Sequence, residues 1–181
     1  FHSYNFVKMF LDKLMSSMFS DKEYFISENS SIILIEGKDK YSFIQGIISN
    51  DIEILRKKPS IYCSMLTPQG RFQYDFFISN LNNMFCIECD SRIQKELFEK
   101  LLMYKLRSEV KISLDKDLEV VLTASKLESS NDKFVSFYDP RFDNFLCRTY
   151  VEKINNKHLE NFTKLSKEHF KNLRLQNSIP D

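Results

Sequence analysis

The stretch IYCSMLTPQGRFQYDFFISNLNNMFCIEC, residues 61–89, decides the fold. It contains three runs rich in β-branched and aromatic residues, 61–66, 72–79 and 84–89. Thr67-Pro68-Gln69-Gly70-Arg71 separates the first two, and Leu81-Asn82-Asn83 the last two. Proline followed by Gln or Gly suits a tight turn, and the second connection is short enough for a hairpin. Strands joined this way form a meander, so the sheet they belong to is largely antiparallel.

Working outward, residues 31–36 read as a buried strand, and Gly37-Lys38-Asp39 turns the chain into a helix that Asp39 can cap, with Phe43, Ile44 and Ile47 facing the core. After the meander, Asp90 or Ser91 offers a cap for a helix reaching about residue 106, with Ile93, Leu97, Leu101 and Leu102 as its apolar stripe. Strands are expected at 110–114, 118–122, 134–137 and 145–150, the last two flanking Asp139-Pro140-Arg141. A lysine-rich helix is expected over 156–176. Ahead of all this, residues 4–20 place Phe6, Phe10, Leu14 and Met18 at four-residue spacing, the period of an amphipathic helix. Strands and helices in irregular order make the class α+β. The expected organisation is an N-terminal extension, 1–24, and two α+β subdomains, 25–115 and 116–181.

The 181 residues are 43% hydrophobic and 28% charged, an ordinary globular composition. With 26 Lys and Arg against 25 Asp and Glu, the net charge of +1 gives no broad basic face for nucleic acid or anionic lipid. No apolar run approaches the roughly 20 residues of a membrane-spanning helix. These features suggest bacterial cytoplasm, or the mitochondrial matrix if a transit segment has been removed. Four cysteines at 63, 86, 89 and 147 are too few for a disulfide scaffold.

Only three glycines occur, Gly37, Gly46 and Gly70, each beside polar residues in an otherwise apolar segment, where turns or close approaches are expected. The 67–71 turn would aim Gln69 and Arg71 outward. Asp75 falls among aromatics within a strand, where a carboxylate needs a partner or a cavity, and it is the candidate functional acid. Cys86 and Cys89 have C-x-x-C spacing, but on a strand they point to opposite faces and read as packing thiols rather than metal ligands. His158 and His169 lie in the polar lysine-rich stretch and carry no assigned chemistry. No phosphate-binding loop, dinucleotide turn or nucleophile elbow is present.

Phe43-Ile44-Gln45-Gly46, Ser49-Asn50-Asp51, Leu66-Thr67-Pro68-Gln69-Gly70-Arg71 with Asp75, Tyr104-Lys105-Leu106-Arg107, Asp139-Pro140-Arg141 and the closing Leu173-Arg174-Leu175 to Ile179-Pro180 follow one another in an order and spacing that resembles the YgfZ-type family, relatives of the glycine-cleavage T-protein. Each motif is weak alone, and the series over roughly residues 25–181 is specific. The resemblance implies an aminomethyltransferase-like fold with subdomains around a central opening that holds tetrahydrofolate, and a role in iron–sulfur cluster assembly or repair with assembly or client proteins as partners. It implies Gln45, Asn50, Asp51, Thr67, Gln69, Gly70, Arg71 and Asp75 as folate-facing residues, with Asp75 the catalytic candidate. The family's K-G-C-Y-x-G-Q-E element is not in these residues, so the chain reads as truncated before the family's last domain. T-proteins carry adjacent aspartates where this chain has Tyr74-Asp75, which ranks an aminomethyltransferase second to a folate-binding accessory protein. A scaffold keeping only the fold ranks third.

Overall fold

The computed structural model describes residues 20, 22–127, 134–141, 146–153 and 159–176. Among the described residues, two five-stranded sheets carry the structure. The first runs β3 (Ser60–Leu66), β4 (Phe72–Leu81), β5 (Met84–Asp90), β2 (Ser30–Glu36) and β6 (Lys111–Asp115), with every neighbouring pair antiparallel. The expected meander is its centre. Asn82 and Asn83 take φ of 49° and 64°, the two left-handed residues a tight hairpin needs. The buried Lys40 locks that turn, its ammonium donating to the carbonyl and side-chain oxygen of Asn83.

Alternation sends Ile61, Cys63 and Met65 of β3, and Tyr74, Phe76 and Ile78 of β4, to one face. There they pack under α1 (Lys40–Gln45), a 3₁₀ turn (Ile52–Arg56) and α2 (Gln94–Lys105). The other face is partly covered by the second sheet, β10 (Thr163–Lys164), β1 (Glu23–Ile26), β7 (Leu118–Thr123), β9 (Cys147–Glu152) and β8 (Val135–Tyr138) in that order. Ile32, Leu81 and Cys86 of the first sheet share a core with Phe25, Phe137 and Tyr150 of the second. Because β4 and β5 are covered on both sides, their centres read as near-continuous apolar runs. Cys86 and Cys89 fall in different cores, as strand alternation requires.

Several local expectations are corrected. Asp39 occupies the N-cap position of α1, but its carboxylate accepts the Glu109 N–H (2.7 Å) and ties α1 to the chain entering β6. Helix α2 starts at Gln94 without a side-chain cap, because Asp90 accepts from the backbone and guanidinium of Arg92, while Ser91 accepts from the Ser31 hydroxyl. In its stripe Leu97 and Leu101 are buried, whereas Leu102, a further 100° around the helix, is 44% exposed. Of the helix expected over 156–176, residues 156–158 lie outside the described residues and the remainder holds α3 (Lys167–Gln176), since Thr163 and Lys164 pair in parallel with β1 and satisfy its open edge. Phe170 of α3 stacks on Phe25, with centroids 4.0 Å apart. Strand β1 spans the boundary expected at residue 25 and belongs to the second sheet. The expected helix over 4–20 lies outside the described residues apart from Ser20.

Candidate functional site

Register places Tyr62, Phe77 and Glu88 side by side across β3, β4 and β5, on the face turned to the second sheet. Two guanidinium groups from the second sheet's side lie over this row. The carbon of Arg148, on β9, sits 4.1 Å from the Phe77 ring centroid. That of Arg141, just after β8, sits 4.9 Å from Phe77 and 5.2 Å from Tyr62. Arg148 also donates to Glu88 (2.5 Å) and to Asp139 (2.9 Å), while Arg141 grips Asp139 through Nε and Nη2 (3.0 and 2.9 Å). Glu88, 3% exposed, accepts further bonds from Ser30 (2.8 Å) and Tyr150 (3.1 Å). Asp139 has no exposed surface; burial pushes its carboxyl up, but the hydrogen bonds and charges of Arg141 and Arg148 more than reverse this and leave its pKa below the ordinary value.

In the next row on this face, two residues along β4 from Phe77, stands the half-buried Asp75, cross-strand from Ser64 and bonded by the Tyr62 hydroxyl. Burial first, then the bond to Asp75, pushes the Tyr62 pKa to about 12, so the phenol keeps its proton and donates. Tyr74 points to the helix-covered face and donates to Glu96 (2.5 Å), leaving Asp75 as the carboxylate that the Tyr74-Asp75 pair displays here.

The other sequence candidates are spent largely on shaping loops. Gln45 donates to the Asn50 carbonyl and accepts from the Ile52 N–H; Asn50 donates to the Tyr62 carbonyl (3.0 Å); Asp51 caps the 3₁₀ turn through the Glu53 N–H. Of the three, Asn50 ties this loop to β3. In the 67–71 turn the Thr67 hydroxyl accepts from the N–H groups of Gln69 and Arg71, and Gly70 adopts φ 77°. Gln69 and Arg71 are exposed there. A cleft of about 350 Å³ lies between the 46–49 loop, the start of this turn and Tyr104, lined by Ile47, Ile48, Met65, Leu66 and Pro68. Met65 belongs to the helix-side core, so this cleft sits across the sheet from Asp75, and the motifs divide between two surfaces.

Sequence reasoning missed Tyr62, Glu88 and Arg148. Glu88 and Arg148 carried a signal, a charge in an otherwise apolar strand; Tyr62 carried none, since tyrosine is at home in any strand.

All four thiols are buried. Burial raises Cys63, Cys86 and Cys89 to about 12 and Cys147 to about 11, so none is a thiolate at neutral pH. A thiol-reactive dye is expected to label none of them in the native protein at pH 7.5 and all four in denaturant. Fast native labelling of any of the four contradicts this placement.

No protein-family model matches the chain. Over 104 residues it is 30% identical to the mitochondrial iron–sulfur cluster assembly factor IBA57 homolog of Mycosarcoma maydis, covering 50% of this chain and 26% of that protein. The Neurospora crassa homolog is 32% identical over 90 residues, 46% of this chain and 20% of that one. Human mitochondrial IBA57 is 26% identical over 106 residues, 51% and 30% respectively. Over those stretches this chain is similar to the IBA57 assembly factors. The resemblance read from its motifs therefore holds. Each match to IBA57 spans less than a third of the relative's own length. The glycine cleavage system aminomethyltransferase T of Bartonella henselae has the same type of fold, with TM-score 0.52 at 15% identity over 61% of this chain and 30% of that one. The expected aminomethyltransferase-like α+β architecture is thus present.

Proposed function

We propose that this chain serves iron–sulfur cluster assembly and binds tetrahydrofolate against the sheet face that displays Asp75. The observation that carries the reading is the half-buried Tyr62–Asp75 pair, set beside aromatic rings and a guanidinium. Those residues fit the ligand. A pterin offers ring N–H groups to a carboxylate and a flat π surface to Tyr62 and Arg141, and exposed Arg71 suits the carboxylates of a glutamate tail. Folate would supply a one-carbon carrier; the protein's part is to bind and orient it. The relatives' role in cluster assembly supplies the context, with assembly or client proteins as partners, and their description as mitochondrial favours the matrix over a bacterial cytoplasm. Among the described residues no helix is long and apolar enough to cross a membrane.

Anaerobic calorimetric titration of tetrahydrofolate into the full chain tests this. Saturable binding is expected, weakened roughly 10–100-fold by Asp75→Ala, which removes a charged hydrogen-bond acceptor, and several-fold by Arg71→Ala. Absence of binding, or binding indifferent to Asp75→Ala, overturns the reading.

A further inference from the structure

We propose that Arg141 is the positioning residue of this site, fixing the direction of the Asp75 carboxylate through the ring of Tyr62. The inference rests on the reading of Asp75 as a ligand-facing acid, and names a residue on the other sheet's side as what aims it.

The geometry runs in three steps. Arg141 is itself held, since its backbone N–H (3.0 Å), Nε and Nη2 all donate to Asp139, and the intervening Pro140 fixes one backbone torsion of the link. Asp139 is anchored in turn by Arg148, whose other arm reaches Glu88 on β5, so the arm carrying Arg141 is braced against the first sheet. Its planar guanidinium then packs on the Tyr62 ring and on Phe77 alike, and Phe77 packs against the Tyr62 ring, centroids 5.0 Å apart, so the three groups form one cluster. A tyrosine on a strand has two free side-chain torsions. Packed against both Phe77 and Arg141, Tyr62 presents its hydroxyl diagonally to the strand neighbour of its partner, which is where Asp75 accepts it. The Arg141 side chain is 16% exposed, so this brace stands at the rim of the site rather than deep in the core. Its positive charge also opposes the upward push on the Tyr62 phenol, an electrostatic sign that guanidinium and hydroxyl act on one another.

The test reads Asp75 directly. In carbon-13-labelled full chain, the Asp75 carboxyl resonance is assigned by its loss in Asp75→Asn. Arg141→Gln is expected to move that resonance and to weaken tetrahydrofolate binding roughly tenfold, the scale of one well-made hydrogen bond. Arg141→Lys keeps a cation beside Asp139 and protects the fold while removing the planar guanidinium, and it is expected to give the same shift. In a Tyr62→Phe background both substitutions should add nothing. A residue that merely stabilised the fold would give an effect that tracks the melting temperature and persists without the Tyr62 hydroxyl; that outcome overturns the proposal, as does an unmoved Asp75 resonance. If the resonance responds as stated while no tetrahydrofolate binds even the unsubstituted chain, the positioning role stands and the folate reading falls.

Discussion

Replacing Arg148 with methionine lowers the melting temperature by roughly 6–20 °C. Arg148 satisfies two buried carboxylates at once, Glu88 and Asp139, and lies over Phe77. Methionine fills much of the same volume but leaves both acids in the interior with a donor missing. Breaking a buried pair from one side costs about 3–5 kcal/mol, and each kcal/mol moves the melting point of a chain this size by about 2–4 °C. Scanning calorimetry of the two proteins measures it. Adding Glu88→Leu is expected to recover part of the loss, because an apolar pair in this position no longer demands solvation. A loss under 1 kcal/mol in the single variant would mean that water reaches Glu88.

The same cluster gives stability an acid limb. The folded pKa of Asp139 is depressed, so its contribution is complete above the unfolded carboxylate value of about 3.9 and is lost as pH falls through the folded value. Urea unfolding between pH 7 and pH 3 should show this drop, and Arg148→Met should flatten it by removing one of the cations that hold Asp139 ionised.

Gly37→Ala is the second severe substitution. Gly37 adopts φ +127°, and a Cβ built there would lie 2.2 Å from the Glu109 carbonyl oxygen and 2.8 Å from the Val110 Cα. Both are backbone atoms, and the Asp39 carboxylate bonded to the Glu109 N–H fixes them in place. The β2–α1 turn and the entry to β6 must therefore part. On the order of 3–4 kcal/mol is expected, combining an unfavourable backbone region with displaced packing. Gly70→Ala is the control. Gly70 also has positive φ, +77°, but nothing lies within 4 Å of its would-be Cβ, so it should lose only the backbone preference, about 1–2 kcal/mol. Equal losses at the two positions would mean that the contact with 109–110 is not tight.

These positions also measure how far the sequence could be read. The meander, the hairpin at Asn82-Asn83 and the opposed faces of Cys86 and Cys89 follow from alternation and turn chemistry, which are local. What failed was also local in appearance but long-range in cause. Asp39 looks like a helix cap, yet its oxygen serves a residue 70 positions away; the 156–176 stretch has helix-forming composition, yet the free edge of β1 captures Thr163 and Lys164 first. At the site, a carboxylate stranded among aromatics marked Asp75, but its donor lies 13 residues back, and the arginines behind that donor 66 and 73 residues on. Gln45, Asn50 and Asp51 were singled out only by the family resemblance. The structure gives them backbone partners, a use that spacing does not distinguish from facing a ligand.

Strand β1 sits between β10 and β7, which follow it by more than 90 residues. The first segment of the described chain is therefore an interior plank of the sheet finished last. During synthesis it emerges early and has no permanent neighbour until the whole first sheet and the β7 segment have left the ribosome. Until then its backbone edge and the apolar ring of Phe25 lack their final partners, the kind of long-range pairing that forms late in folding. It also means that cutting the gene at the visible change of sheet near residue 116 would not separate two self-sufficient halves, because the second would lack a strand encoded ahead of the first.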